Sequence, residues 1–84
     1  MANVYVITGA AGSGKTRLAT HITNGFNGAS AQFPDSESRA LSKEDIETAC
    51  VTVGDGLIIF EMVKYMPVFD AIPHTRVDVS RQEK

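Results

Sequence analysis

The sequence predicts an α/β fold, a small three-layer core built on a parallel sheet of three to four strands. Two continuous apolar runs, residues 3–8 and 57–60, have the β-branched and aromatic composition of strands buried on both faces. Two other stretches, residues 14–25 and 42–53, repeat their apolar side chains at helical spacing. Because strands and helices alternate along the chain, we expect parallel strands joined by helical crossovers.

The first helix is predicted over residues 14–25. Its apolar stripe consists of Leu18, Ala19, Ile22 and Phe26. Gly25 and Gly28 follow the stripe and provide the stop signal that commonly ends a helix. The amphipathic pattern therefore places one face of this helix against the sheet.

The second helix is predicted to begin after Ser42, a good N-cap followed by two acids in the first turn. Its apolar stripe consists of Ile46, Ala49, Cys50 and Val53. Gly54 is placed to end it. A strand over residues 50–53 is the competing interpretation, because three of these residues are β-branched.

The remaining segments have less regular sequence patterns, which predict their secondary structure less definitely. Residues 29–33 suit one short strand, and residues 36–41 suit either a helical turn or a mobile loop. Pro67 interrupts any helix within residues 62–70. A last strand is predicted over residues 75–80, followed by a polar tail.

Size and composition predict one small domain over residues 1–84, with 43% hydrophobic and 21% charged residues. A net charge of −2 gives no broad basic footprint for nucleic acid. Cys50 is the only cysteine, which excludes an internal disulfide and fits a reducing cytoplasm. We expect Cys50 to be a packing residue rather than a nucleophile. No signal peptide or apolar membrane-spanning stretch is recognised, so a cytoplasmic location is expected.

The most informative motif follows the first predicted strand and fits G-x-x-x-x-G-K-[ST], the phosphate-binding P-loop. Its residues are Gly9, Ala10, Ala11, Gly12, Ser13, Gly14, Lys15 and Thr16. A strand leads into the motif and a helix leads out of it, which is the context that such a loop requires. The motif predicts a nucleoside triphosphate and Mg²⁺ as ligands.

Each residue type in the motif has a chemical purpose. The glycines Gly9, Gly12 and Gly14 are expected to permit unusual backbone angles and a close approach of phosphate. The following helix offers unpaired N–H groups and the positive end of its dipole. Lys15 is predicted to reach the β- and γ-phosphates, and Thr16 to bind the metal. Arg17 is a further candidate for phosphate contact.

A second site element is an acid at the end of another buried strand, because ligands bind at the carboxyl edge of such sheets. Glu61 follows the apolar run 57–60 and is the preferred acid, with roles in binding the metal and orienting water. Asp55 is the rival, although it lies within a glycine turn. Ser80 and Arg81 end the last predicted strand at the same edge and are candidates for sensing the γ-phosphate.

These residues resemble the P-loop NTPase superfamily: residues 9–16 look like its Walker A motif, and residues 57–61 look like its Walker B strand. The order of elements is similar to the additional-strand, catalytic-glutamate division. That resemblance implies that residues 75–80 form a strand inserted between the two motif strands, with Ser80 at the polar sensor position. Phe60 stands where this family has Asp, a departure that weighs against the usual metal contact and against efficient hydrolysis.

Three functions remain open. The first is a minimal ATP-binding protein, a slow ATPase whose nucleotide state controls a protein partner or self-association. Its small size is similar to the reduced cores that phages and plasmids encode. The second is a small-molecule phosphotransferase, for which residues 26–41 and 62–74 are the only lid candidates and Arg39 the lone lid arginine. The third is a non-catalytic nucleotide-binding module with a regulatory or inhibitory role. A guanine-reading N-K-x-D motif is absent from the sequence, which disfavours a GTPase.

Overall fold

A computed structural model describes residues 2–34, 36 and 41–79 of the chain. In chain order the elements are β1 (Asn3–Thr8), α1 (Lys15–Asn24), β2 (Ser30–Phe33), α2 (Lys43–Val53), β3 (Leu57–Met62), a 3-10 helix (Pro67–Ala71) and β4 (Thr75–Asp78). The predicted α/β class is confirmed, and the weak strand predicted over residues 29–33 exists as β2. The interpretation of residues 36–41 lies mostly outside the described residues.

The four strands form one parallel sheet in the order β2-β3-β1-β4. β3 pairs with β1 along its whole length, from Asn3 opposite Leu57 to Thr8 opposite Met62. The position that the resemblance implies for the last strand, between the two motif strands, is therefore wrong. β4 lies on the outer side of β1, and β1 and β3 are direct neighbours. All six residues of β3 are buried, whereas three of the four in β4 are exposed. A polar strand is accommodated at the edge of a sheet, whereas a strand that is buried on both faces and almost entirely apolar belongs at its centre.

The two faces of the sheet are covered by different helices. On one face Val6, Ile58 and Phe60 pack with Ile46 of α2. On the other face Ile7 and Ile59 pack with Ala19 of α1. Successive residues of β1 and β3 thus serve opposite cores, which confirms the predicted three-layer arrangement.

Both predicted helical stripes face the sheet. The stripe of α1 packs in one core and the stripe of α2 in the other. A capping box begins α2: the Asp45 N–H donates to Ser42 Oγ, and the Ser42 N–H donates to Asp45 Oδ2, both at 3.1 Å. The helix continues to Val53, so the alternative of a strand over residues 50–53 is wrong. Within the described part of the chain, neither helix is long and apolar enough to span a membrane.

The segment after β3 covers the sheet on the side of α2. Phe69, on the 3-10 helix, is fully buried and its ring lies 5.0 Å from that of Phe60. Phe33 stacks on the other side of Phe60 with a centroid distance of 5.2 Å and an interplanar angle of 15°. The Tyr65 hydroxyl donates to Asp70 Oδ1 at 2.7 Å, which joins the residues before the 3-10 helix to the helix itself. Through these contacts the segment closes the core on the side of α2.

Gly56 occupies the corner where three strands begin. Its carbonyl accepts from the Asn3 N–H at 2.8 Å, and its own N–H donates to Val53 at 2.9 Å. A Cβ at this position would lie far inside van der Waals contact of the Ala29 carbonyl oxygen and 2.9 Å from that of Val53. These neighbours are backbone atoms and cannot rotate away, so only glycine fits here.

We therefore predict that Gly56→Ala lowers the free energy of unfolding by about 1–3 kcal/mol, the usual cost of overpacking. Gly25→Ala is the matched control, because its Cβ would meet only carbonyl oxygens at 3.8 Å. Urea denaturation of both variants measures the difference. Equal stabilities of the two variants would show that Gly56 is not constrained by close approach.

Candidate functional site

The glycine-rich loop leaves the carboxyl end of β1 and leads directly into α1. Its first residue, Gly9, is buried and donates its N–H to the Met62 carbonyl at 3.1 Å. This hydrogen bond fastens the start of the loop to the last residue of β3. The loop consequently begins at the carboxyl edge of the two central strands, where ligands bind in open α/β sheets.

Two glycines of the loop adopt left-handed backbone conformations, with φ of 80° at Gly12 and 100° at Gly14. A Cβ at either position would meet no atom within 4 Å, so the conformation and not crowding requires glycine. Gly9 has no positive φ, which corrects the expectation that all three loop glycines need unusual angles. Its contribution is the backbone contact with Met62 and with Lys15.

The loop closes as α1 begins. Ser13 donates its N–H to the Ala10 carbonyl at 3.0 Å, and Gly14 is the N-cap of α1 with no side chain capping the first turn. The first N–H groups of a helix have no partner inside the helix, and they carry the positive end of its dipole. This helix end is therefore suited to hold an anion.

Lys15 is the first residue of α1 and folds back over the loop. Only 8% of its surface is exposed. Its ammonium group donates to the Gly9 carbonyl and, at 3.2 Å, to the Ala10 carbonyl. An ammonium group has three donors, so two contacts leave one for a further acceptor. The charge of Lys15 is thereby fixed beside the loop.

Glu61 brings a carboxylate to the same place from β3. It lies opposite Ile7 in the sheet and is only 1% exposed. Its Oε1 accepts the Thr16 hydroxyl at 2.7 Å. Its Oε2 is buried with no hydrogen-bond partner among the described residues. A buried carboxylate oxygen without a partner is costly, and a bound cation would relieve that cost.

The orientation of β3 explains why Glu61 reaches the loop and Phe60 does not. Consecutive residues of a strand point to opposite faces. Phe60 is directed into the core beneath α2, between Phe33 and Phe69. An aspartate at position 60 would point into that core, so in this register Glu61 is the residue that faces Thr16.

Asp55, the rival of Glu61, does not lie at the edge of the sheet where the loop begins. It precedes β3, at the amino end of the strand, whereas Thr16 contacts Glu61 near the carboxyl end. A strand advances about 3.3 Å per residue, so roughly 17 Å separates the first and last residues of β3. Ser80 and Arg81, the candidates for sensing the γ-phosphate, lie outside the described residues, as does Arg39.

A cleft of about 610 Å³ opens over the loop, and we call it the loop cleft. Residues 11–17 line it together with Glu61 and Pro34. The predicted binding residues Ala11, Ser13 and Arg17 thus share one cavity with Lys15 and Thr16. Ala10 is exposed beside it. Pro34, at the end of β2, was not foreseen, because nothing in its sequence context indicates that β2 ends beside the loop.

Cys50 does not join the site. It is partly buried against the core beneath α2. Burial, and to a smaller extent the charge of Glu47, raise the pKa of its thiol. A raised pKa reduces the thiolate fraction at neutral pH, which makes the side chain a poor nucleophile.

Comparison with protein-family models, curated proteins and solved structures found no match. Among the described residues, no group of three or more histidine, cysteine, aspartate or glutamate side chains is arranged to hold a metal ion. Among the described side chains that line the loop cleft, the hydroxyls of Ser13 and Thr16 and the carboxylate of Glu61 carry oxygens, the hard ligands that a magnesium ion prefers.

The register of β3 predicts the effect of introducing the missing aspartate. Phe60→Asp should lower the free energy of unfolding by at least about 3–5 kcal/mol, the cost of removing a buried phenylalanine, because a carboxylate replaces the ring in the core. Phe60→Leu, which keeps an apolar side chain, should cost much less. Thermal and urea unfolding measure both. A Phe60→Asp protein of normal stability would contradict the orientation of this strand.

Proposed function

We propose that this chain binds ATP with Mg²⁺, hydrolyses it slowly, and uses its nucleotide state to control contact with a protein partner. The observation that carries the proposal is the joint presence, in one cleft, of the glycine loop, the buried Lys15 ammonium and the Thr16–Glu61 pair. A positive region and an oxygen-rich region lie side by side there. A triphosphate with a divalent cation has the complementary arrangement of charge.

The triphosphate would lie along the loop and the amino end of α1. Backbone N–H groups of the loop and of the first helical turn would donate to its oxygens. Lys15 would keep its position and exchange carbonyl contacts for phosphate oxygens. Its charge would then stabilise the negative charge that develops on the γ-phosphoryl group.

The Thr16 hydroxyl oxygen and the unpartnered Oε2 of Glu61 would hold Mg²⁺. When bound, this ion neutralises charge on the β- and γ-phosphates. The two side chains already lie in contact at 2.7 Å, which supports this assignment without a large rearrangement. Glu61 is held by a buried central strand, so its position is rigid.

The same geometry supports slow rather than efficient hydrolysis. Lys15, Arg17 and Glu61 are the charged side chains that line the loop cleft in the described part of the chain. Glu61 would have to serve both the metal side and the attacking water. A general base dedicated to the water contributes a rate factor of about 10²–10⁴ in enzymes that have one. Sharing one carboxylate between two tasks forfeits much of that factor.

A phosphotransferase is the second candidate, favoured by the position of Pro34. This residue brings the end of β2 to the loop cleft, where an acceptor would have to enter. A non-catalytic nucleotide-binding module is the third, favoured because Glu61 is the one acid among the described residues that line the loop cleft. Phosphate release without an acceptor indicates the ATPase, turnover only with an added nucleoside or metabolite the phosphotransferase, and tight binding without turnover the third candidate.

Removal of the Lys15 charge tests nucleotide binding. Lys15→Ala should weaken Mg-ATP binding by roughly 10- to 100-fold, the equivalent of about 1.5–3 kcal/mol for a hydrogen bond to a charged group. Lys43→Ala, which removes an exposed lysine from the start of α2, is the control of equal charge. Calorimetric titration measures both affinities. Equal affinity of wild type and Lys15→Ala would overturn all three candidate functions.

The metal side is tested by Thr16→Ala and Glu61→Gln. Both variants should lose most of the gain in ATP affinity that Mg²⁺ provides, and both should retain the affinity measured in EDTA. Thr20→Ala changes an exposed threonine one turn further along α1 and should leave both affinities unchanged. Phosphate release should fall with Glu61→Gln. An unaltered Mg²⁺ effect in both site variants would remove the metal from the proposal.

A further inference from the structure

The outer edge of β4 is an edge of the sheet that has no partner strand among the described residues. β4 pairs with β1 on one side, and no strand of the described residues pairs with its other side. Such an edge carries a row of N–H and C=O groups and serves as a template for another strand. Thr75, Arg76 and Asp78 of this strand are exposed.

The side chains of β4 have an ordered charge pattern. Arg76 lies beside Val6 and Asp78 beside Thr8, so both occupy the α2 side of the sheet. Val77 lies beside Ile7 and occupies the α1 side. A positive and a negative charge therefore stand two residues apart on one face, with an apolar side chain between them on the other.

Symmetry restricts how this edge could pair with itself. Antiparallel pairing of two β4 strands in one continuous sheet requires a two-fold axis perpendicular to the sheet, because this axis keeps each face on its own side. Opposed residues must then point to the same face. Even-numbered residues can therefore oppose only even-numbered residues, and odd-numbered residues only odd-numbered ones. The axis consequently lies midway between the two copies of one residue, and that residue defines the register.

The charges select one of these registers. With the axis at Val77, Arg76 of each copy lies opposite Asp78 of the other. With the axis at Arg76 or at Asp78, two arginines or two aspartates oppose each other, which is unfavourable. Of the registers centred on residues 76–78, the one centred on Val77 makes the edge complementary to its own copy.

We propose that this chain forms a homodimer through antiparallel pairing of β4 with β4 of a second copy, centred on Val77. The two four-stranded sheets join into one of eight strands. Two Arg76–Asp78 pairs flank the axis on the α2 side, and two Val77 side chains meet on the α1 side. The inference is independent of the nucleotide-binding proposal, because it uses no residue of the loop cleft.

Arg76 is already oriented for this role. Its guanidinium lies 4.0 Å from the centroid of the Tyr65 ring, which holds the charge on the α2 side by a cation–π contact. A carboxylate has two oxygens and can accept from several donors at once, so Asp78 can take an additional partner. Two short strands bury little area, so the dimer should be weak and concentration-dependent.

Charge reversal tests the register. Sedimentation velocity over micromolar to millimolar concentrations should show a monomer–dimer equilibrium for the wild type. Arg76→Asp and Asp78→Arg should each raise the dissociation constant by about tenfold or more, because like charges then face each other. The combined swap should restore the dimer. Arg76→Lys should retain it, because the positive charge opposite Asp78 remains.

Disulfide trapping tests the position of the axis without altering charge. In a Cys50→Ser background, Val77→Cys places the new cysteine against its own copy, and mild oxidation should give a covalent dimer. Thr75→Cys is the control, because its copies would lie about 13 Å apart along the strands, beyond the Cα separation of about 7 Å that a disulfide tolerates.

A wild type that sediments as a monomer at every concentration would overturn the proposal, and so would a combined swap that stays as weak as the single variants. Equal trapping of the two cysteine variants would also overturn it. Nucleotide titration of the same samples reports on the loop cleft separately, so failure of one proposal is distinguishable from failure of the other.

Discussion

The structure depends on the constraint that β3 is buried on both faces. A strand with six buried residues must have a neighbour on each side and a layer above and below. β1 and β2 supply the neighbours, and α1 and α2 supply the layers. The polar strand β4 is then left with the one remaining place beside β1. Strand order, layer arrangement and the exposed edge all follow from this requirement.

The same pairing assembles the candidate site. Thr16 and Glu61 are 45 residues apart in the chain and meet only because β1 and β3 are direct neighbours. The Gly9–Met62 hydrogen bond fixes the position of the start of the loop relative to the carboxyl end of β3. A strand inserted between β1 and β3 would have separated the carboxylate from the hydroxyl by about 5 Å more. The close contact at the site is thus a result of the sheet order.

Most of the secondary structure could be predicted from the sequence, because periodicity and capping are local properties. The N-cap at Ser42 and the stripe of α1 are examples. Strand order is not a local property. The resemblance implied that the last strand lies between the two motif strands, whereas the polar composition of Thr75–Asp78 is typical of an edge strand. At the site, residue identities were readable from spacing. The folding of Lys15 onto its own loop and the direction of Phe60 depend on tertiary register, which the spacing does not contain.

Glu61 stands apart from the rest of the core. Everywhere else in β3 the side chain, the strand propensity and the burial agree, as they do in a minimally frustrated sequence. At this one position of β3 a carboxylate, which favours water, is held in the protein interior, and one of its oxygens has no hydrogen-bond partner among the described residues. Local conflicts of this kind are expected at functional positions. A cation bound at that oxygen, as we propose, would therefore stabilise the folded state, because it would interact with the folded protein and not with the unfolded chain.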